Sequence, residues 1–225
     1  MIKSAIKLFS LAFGNDAGDG KVFHPSRTCP ECGSKLWAEA GVAEQVWLCP
    51  NLDCPNQMRR GLVHWCSPEV MDIPGGDAVL VDKLVRTGLA RDVAELYRIK
   101  VAELAALPGM DKDSAQKFFD GITVSLKRDA WRVLFGLRIQ LVGVAEARAL
   151  GKGFPTVDAV FAAGAPRLTK DAGMNDAVAQ SIVRWHSDSV NRKLVNRLAK
   201  FGVNFKSELY QIKFGVPPFG GSKAA

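Results

Sequence analysis

Thr28-Cys29-Pro30-Glu31-Cys32-Gly33-Ser34, answered by Cys49-Pro50-Asn51-Leu52-Asp53-Cys54-Pro55, sets the organisation of the first quarter of this 225-residue chain. Two cysteines separated by two residues place both sulfurs on one cation across a tight knuckle. Gly33 permits the turn that the backbone then needs. A second pair completes a tetrahedron, and four thiolates with no open position make a structural rather than a catalytic zinc site. The 16 intervening residues suit a small hairpin, Lys35 to Glu39 out and Gln45 to Leu48 back. Its turn falls near Ala40-Gly41, and Trp37 and Trp47 would cover the metal.

The alternative reading is two disulfides in a secreted domain, which requires an export signal. Met1 to Phe13 carries Lys3 and Lys7 before a short apolar stretch, but Lys7 interrupts the run and no small-x-small cleavage site follows. A short amphipathic helix or a frayed terminus is the expectation there. Redox chemistry at Cys29-x-x-Cys32 lacks a thioredoxin-like sheet around it. Cys66, in Leu62-Val63-His64-Trp65-Cys66, reads as a buried apolar filler. His64 is not needed as a ligand, because the set is complete without it.

Beyond the cysteines the composition is that of an ordinary globular protein, 48% hydrophobic and 24% charged. No apolar run approaches the roughly 20 residues that span a bilayer, so no membrane role is expected and a cytoplasmic setting is. Lys plus Arg number 30 against 23 Asp plus Glu, a formal charge of +7. That balance favours polyanionic partners, although many unrelated soluble proteins share it.

From about residue 70 the sequence turns helical, with apolar residues recurring at three and four. A short pattern returns within it: Ile73-Pro-Gly75-Gly-Asp77, Leu107-Pro-Gly109-Met-Asp111, Leu141-Val-Gly143-Val-Ala145 and Asp171-Ala-Gly173-Met-Asn175. The glycines aligned in this way lie 34, 34 and 30 residues apart, which signals stacked helical units. A glycine of positive φ ahead of a helix is what a helix-hairpin-helix turn needs, and amides at the next helix's N-terminus can then face a phosphate. A plain helical bundle with glycine-containing turns is the alternative. The last patterned helix runs from about Val190 to Phe201, with Leu194, Val195, Leu198 and Phe201 on one stripe and Gly202 as its cap. Arg192, Lys193, Arg197 and Lys200 form its solvated face, and His186 beside Trp185 reads as helix packing.

These two halves in this order resemble the C-terminal portion of bacterial NAD-dependent DNA ligases. The likeness runs over roughly residues 23 to 206. Phe23-His-Pro-Ser-Arg-Thr-Cys29-Pro-Glu-Cys32-Gly-Ser34, Cys49-Pro-Asn-Leu-Asp-Cys54-Pro-Asn-Gln57, Leu62-Val-His64-Trp65-Cys-Ser67 and Met71-Asp72-Ile73 carry it first. Ala94-Glu-Leu96-Tyr97-Arg98, Lys112-Asp-Ser114-Ala115-Gln116, Ile139-Gln-Leu-Val142-Gly143 and Asn191-Arg-Lys-Leu-Val continue it.

The resemblance implies a mainly α fold: a small four-cysteine zinc ribbon followed by a helical domain of four helix-hairpin-helix repeats. The expected parts are an N-terminal arm over 1–22, a four-cysteine zinc finger over 23–66, a helix-hairpin-helix domain over 67–206 and a flexible Gly/Pro tail over 207–225. It implies a structural Zn2+ on Cys29, Cys32, Cys49 and Cys54, placed between the arm and the helices, and double-stranded or nicked DNA as partner, in repair or replication near the nucleoid. In the family, an adenylation lysine in Lys-x-Asp-Gly takes AMP from NAD. No such motif occurs here, since Lys170-Asp-Ala-Gly173 has its aspartate one place early. NAD binding is therefore not expected, the adenylation, OB and BRCT domains are expected to be absent, and activity alone is not expected.

Departures bear on the DNA contacts. The family's second hairpin glycine is replaced by Asp77, Asp111 and Asn175, which tolerate left-handed geometry better than other residues. A carboxylate there repels phosphate, and Gln140 replaces a family arginine. Gly143 and Gly173 are the better candidates for phosphate contact and Gly109 a weaker one. Lys112, Arg138, Arg148, Lys152 and Lys170 would supply nearby charge. Two other readings stand beside this one: a partner for a separately encoded adenylation domain, and a zinc-stabilised interaction protein that has lost DNA binding.

Overall fold

The computed structural model describes residues 27–38, 47–51 and 53–213. The N-terminal arm, the hairpin turn near Ala40-Gly41, the side chains of Trp37 and Trp47 and the end of the tail lie outside them. Contacts divide the chain into two units, Met1–Pro50 and Asn51–Ala225.

In the first unit, β1 (Trp37–Ala38) pairs antiparallel with β2 (Trp47–Leu48), Trp37 opposite Leu48 and Ala38 opposite Trp47. An isolated antiparallel bridge joins Thr28 to Lys35 across the first cysteine pair. The expected antiparallel pairing is present over these described residues.

The second unit is helical. The helices are α1 (Pro55–Cys66), α2 (Ala78–Arg86), a 3-10 turn (Glu95–Arg98), α3 (Val101–Ala105), α4 (Lys112–Ser125), α5 (Ala130–Gly136) and α6 (Val144–Gly153). There follow α7 (Val157–Ala162), α8 (Gly164–Ala172), α9 (Asp176–Ser187), α10 (Ser189–Lys200) and α11 (Glu208–Lys213). Four consecutive pairs pack as hairpins: α1 with α2, α3 with α4, α5 with α6 and α8 with α9. The apolar faces of these pairs share one core, in which Trp65, Phe118, Phe154 and Leu134 are almost fully buried. α10 is the helix expected near the end, with Val195 and Leu198 inward and Gly202 at φ +84° just past its C-cap Phe201.

Residues 208–213 were expected in a flexible tail and instead form α11, packed on α6. Ser207 Oγ donates to Gly151 O at 2.8 Å and Leu209 packs on the core. Those contacts offset the ordering of the segment, which its composition alone does not reveal.

Trp65, Tyr97 and Ser125 are linked by a chain of hydrogen bonds in the core. Trp65 Nε1–H donates to Tyr97 Oη at 3.0 Å, and Tyr97 Oη lies 3.1 Å from Ser125 Oγ. Ser125 spends its own proton on Ile122 O at 2.7 Å, so Tyr97 is the donor to Ser125. Burial pushes the Tyr97 hydroxyl up to about 12. Tyr97→Phe strands the indole N–H at a fully buried position, and the expected loss is about 2 kcal/mol, read from the midpoint of urea unfolding.

Candidate metal centre and nucleic-acid interface

The first cysteine pair sits on a knuckle built by backbone. Gly33 N–H donates to Cys29 O and Cys29 N–H to Ser34 O, both at 2.8 Å, with Gly33 at φ +71°. Asp53 N–H donates to Asn51 Oδ1 at 3.0 Å, and Cys54 is the N-cap of α1, its carbonyl accepting from Met58. The ligand atoms of Cys29, Cys32, Cys49 and Cys54 all lie within 4.8 Å of one another.

Cys32 Sγ and Cys49 Sγ are 3.5 Å apart. A tetrahedral site with metal–sulfur bonds of about 2.3 Å has sulfur–sulfur edges of about 3.8 Å, whereas a disulfide requires about 2.05 Å. The donor set and its spacing fit zinc. Cys66 stands apart, buried at 3% exposure, with its thiol pushed up to about 12 by burial. His64 is occupied elsewhere: Nε2 lies 3.2 Å from Phe135 O and the ring meets Phe135 edge-on. Burial holds its pKa below the ordinary value. His186 stacks on Phe161 at 4.4 Å between centroids, the packing role its sequence context suggested.

The hairpin tips correct the alignment of the repeats. Gly75, Gly109 and Gly173 take φ +82°, +70° and +68°, as a hairpin glycine should. Gly143 does not: its φ is −91° and it is the N-cap of α6. The left-handed residue of the third hairpin that aligns with those glycines is Leu141, at φ +67°. Aligned by geometry, the left-handed positions are 75, 109, 141 and 173, spaced by 34, 32 and 32. For leucine that conformation costs about 1–2 kcal/mol.

Asp77, Asp111 and Asn175 are not left-handed either. They occupy the N-cap position with extended backbone, and their side chains accept amides of the following helix. Asp77 takes Val79 and Leu80, Asp111 takes Ser114 and Asn175 takes Val178. The Ser114 N–H and hydroxyl hold the Asp111 carboxyl below its usual range, so it stays ionised at that tip. The third hairpin differs. Gly143 has no side chain to cap α6, and among the described residues no side chain caps the N–H groups of Val144, Ala145 and Glu146. Glu146 Oε2 accepts only the Gly143 N–H, at 3.0 Å.

The expected cations divide by position. Arg138, exposed and itself at φ +54°, lies in the turn that leads to Gly143. Lys170 is exposed in the last turn of α8, three residues ahead of Gly173, and Lys112 is exposed at the first position of α4, after Gly109. Arg148 instead lies over the Trp131 ring at 4.6 Å, a cation–π contact. Lys152 is in the last turn of α6, about 14 Å along the helix axis from Gly143. One cation escaped the sequence reading: Lys83 of α2, whose Nζ donates to Pro108 O at 2.7 Å beside Gly109. Nothing local in α2 signals it, because the partner lies 25 residues away. Ser181 of α9 also donates to Gln140 O at 2.7 Å, tying the third hairpin to the fourth.

A cysteine knuckle ahead of four helix-hairpin-helix units defines a zinc-finger and helix-hairpin-helix protein. Residues 28–55 match the NAD-dependent DNA ligase C4 zinc finger domain. Residues 67–118 match a SAM-like helix-hairpin-helix tandem and 132–195 a helix-hairpin-helix motif, the first and second pairs of hairpins. The chain resembles the zinc-finger and helix-hairpin-helix portion of those ligases. It is 38% identical over 188 residues to a DNA ligase of Rubrobacter xylanophilus, covering 84% of this chain and 27% of the relative. Against a DNA ligase of Methylacidiphilum infernorum it is 35% identical over 201 residues, 88% of this chain and 28% of the relative. Against that of Halothermothrix orenii the identity is 33% over 192 residues, 85% and 28%. The chain thus spans little more than a quarter of the length of these curated relatives. Among the described residues no helix is long and apolar enough to cross a membrane.

Proposed function

We propose that this chain is a duplex-gripping module that holds nicked or intact double-stranded DNA during repair or replication and performs no chemistry itself. The observation that carries it is the third hairpin's tip. Among the described residues, three helix N-terminal N–H groups there meet no capping side chain, and Arg138 lies in the same turn. Such amides, at the positive end of the helix dipole, attract phosphate. Gly143 and Arg138 are the main contact in this reading, and Gly173 with Lys170 a second one. Gly109 and Lys112 contribute less, because ionised Asp111 shares their tip. Arg148 and Lys152 add only to the surrounding positive field. Cys29, Cys32, Cys49 and Cys54 hold a structural Zn2+.

NAD binding is not part of this reading. The partial match Lys170-Asp171-Ala172-Gly173 runs through the end of α8 into a hairpin tip. A separately encoded adenylation domain is the partner that would restore ligation, and nick sealing on mixing the two tests that. Cytoplasmic, nucleoid-associated localisation follows from the same reading. The second reading, an interaction protein without DNA affinity, is favoured by the capped amides of hairpins one and two.

Fluorescence anisotropy with a nicked duplex separates the two readings. Three phosphate contacts at about 0.9 each in log–log slope predict a fall in affinity of about 40-fold between 50 and 200 mM salt. Sequence dependence should be slight, since the contacts are to backbone. Absence of binding at the lowest salt would leave the interaction-protein reading standing.

A further inference from the structure

The turn that ends in Gly143 presents its side chains in two sets. Ile139 and Val142 are buried at 2% and 6% exposure and anchor it, while Gln140 and Leu141 face solvent. Arg138 is exposed as a residue, its guanidinium lying beside Gly61 of α1 with burial lowering its pKa. Leu141 is 54% exposed. Of the exposed large apolar residues among those described (Val79, Val124, Leu141, Val183 and Val190), it alone has positive φ. The three equivalent positions hold glycine. A leucine here is therefore kept in an unfavourable conformation, and burial within the chain does not compensate it. The turn is also held in place, with Gln140 O fixed by Ser181 of α9.

An exposed apolar side chain, a guanidinium three residues before it and uncapped amides three to five residues after it match one kind of surface. That surface has an apolar face flanked by anions, as a base step has between two phosphate strands. The Glu146 carboxylate at this tip accepts the Gly143 N–H and lies on the helix side of the turn, five residues after Leu141. An apolar pocket on a protein would need neither the guanidinium nor the amides.

We propose that Leu141 is a wedge that the third hairpin inserts, from the minor-groove side, between stacked base pairs of the bound duplex, using the apolar-insertion mode open to leucine. The inference rests on the DNA-binding reading above. It goes further in assigning to this turn a base-step contact in addition to phosphate contacts.

The test uses the full chain and a set of nicked duplexes, each with a single 2-aminopurine stepped along the footprint, so that unstacking raises fluorescence. Leu141→Gly takes φ +67° without strain, and Leu141→Asn keeps a left-handed residue with a polar side chain. Neither should melt below the parent chain in circular dichroism. The parent should raise fluorescence at one position. Both variants should lose that rise and bind at least about ten-fold more weakly, whereas Val79→Ala should bind within about two-fold of the parent. Unchanged affinity and fluorescence in Leu141→Gly would overturn the wedge, as would a parent chain that binds without unstacking any position. A parent that does not bind any duplex at low salt defeats the DNA-binding reading itself, and the wedge with it, which separates that failure from the other two.

Discussion

Cys32→Ala is expected to yield purified chain with almost no zinc, against about one ion per chain in the parent, measured by inductively coupled plasma mass spectrometry. Among the described residues, neither of the other candidate donors stands ready to replace a lost thiolate. Cys66 is buried outside the cluster, its thiol pushed up to about 12, and His64 is bound to Phe135 O. Three thiolates would have to complete the shell with water, in a segment whose described strands are two residues each. Apparent binding free energies of structural zinc are about 10–16 kcal/mol in zinc-finger peptides, and a segment this small has little core to replace them. The finger should therefore lose its order, seen as rapid amide exchange over residues 27–38. Cys66→Ala is the control and should retain full zinc. A Cys32→Ala chain with unchanged metal content would refute the four-cysteine assignment.

Gly136→Ala should be strongly destabilising, at about 3 kcal/mol, near the top of the overpacking range. Gly136 closes α5 against the buried indole of Trp65. A Cβ built there lies 2.6 Å from Trp65 Cε3 and 2.7 Å from Val70 Cγ1. Neither neighbour can yield cheaply. Trp65 is fully buried and tethered through Nε1 to Tyr97, and Val70 has no exposed surface. The usual helix-propensity gain of alanine over glycine, about 1 kcal/mol, is too small to offset three contacts under 3 Å. Denaturant unfolding measures the effect. Zinc content should stay unchanged, which distinguishes this loss from the cysteine variant.

Much of the site was legible because its signals are local. Cysteine spacing selects a tetrahedral metal, since few residues separate the ligands and the chain cannot place them elsewhere. Gly75, Gly109 and Gly173 were readable because positive φ is nearly reserved for glycine. The third hairpin was misread for a related reason. Glycine serves equally as a left-handed residue and as an N-cap, so Gly143 aligned with the wrong position of its neighbours. Asp77, Asp111 and Asn175 were placed in the left-handed region on the same ambiguity. Their carboxylate and amide oxygens cap helices, which requires knowing where each helix starts to within one residue.

By itself, the sequence determined the two-part plan: a four-thiolate knuckle, then helices punctuated by hairpin glycines, with net positive charge. These depend on spacings of a few residues and on the conformational limits of individual residue types. Only the tertiary structure decided which hairpin, among the described residues, leaves its helix N-terminal amides uncapped and which cations stand near it. Arg148 is drawn onto Trp131, Lys83 reaches the carbonyl beside Gly109, and Ser181 fixes the turn that displays Leu141. Each of those outcomes joins residues 17 to 41 positions apart. Their proximity comes from burying a shared apolar core, which carries no mark in the local sequence of any partner.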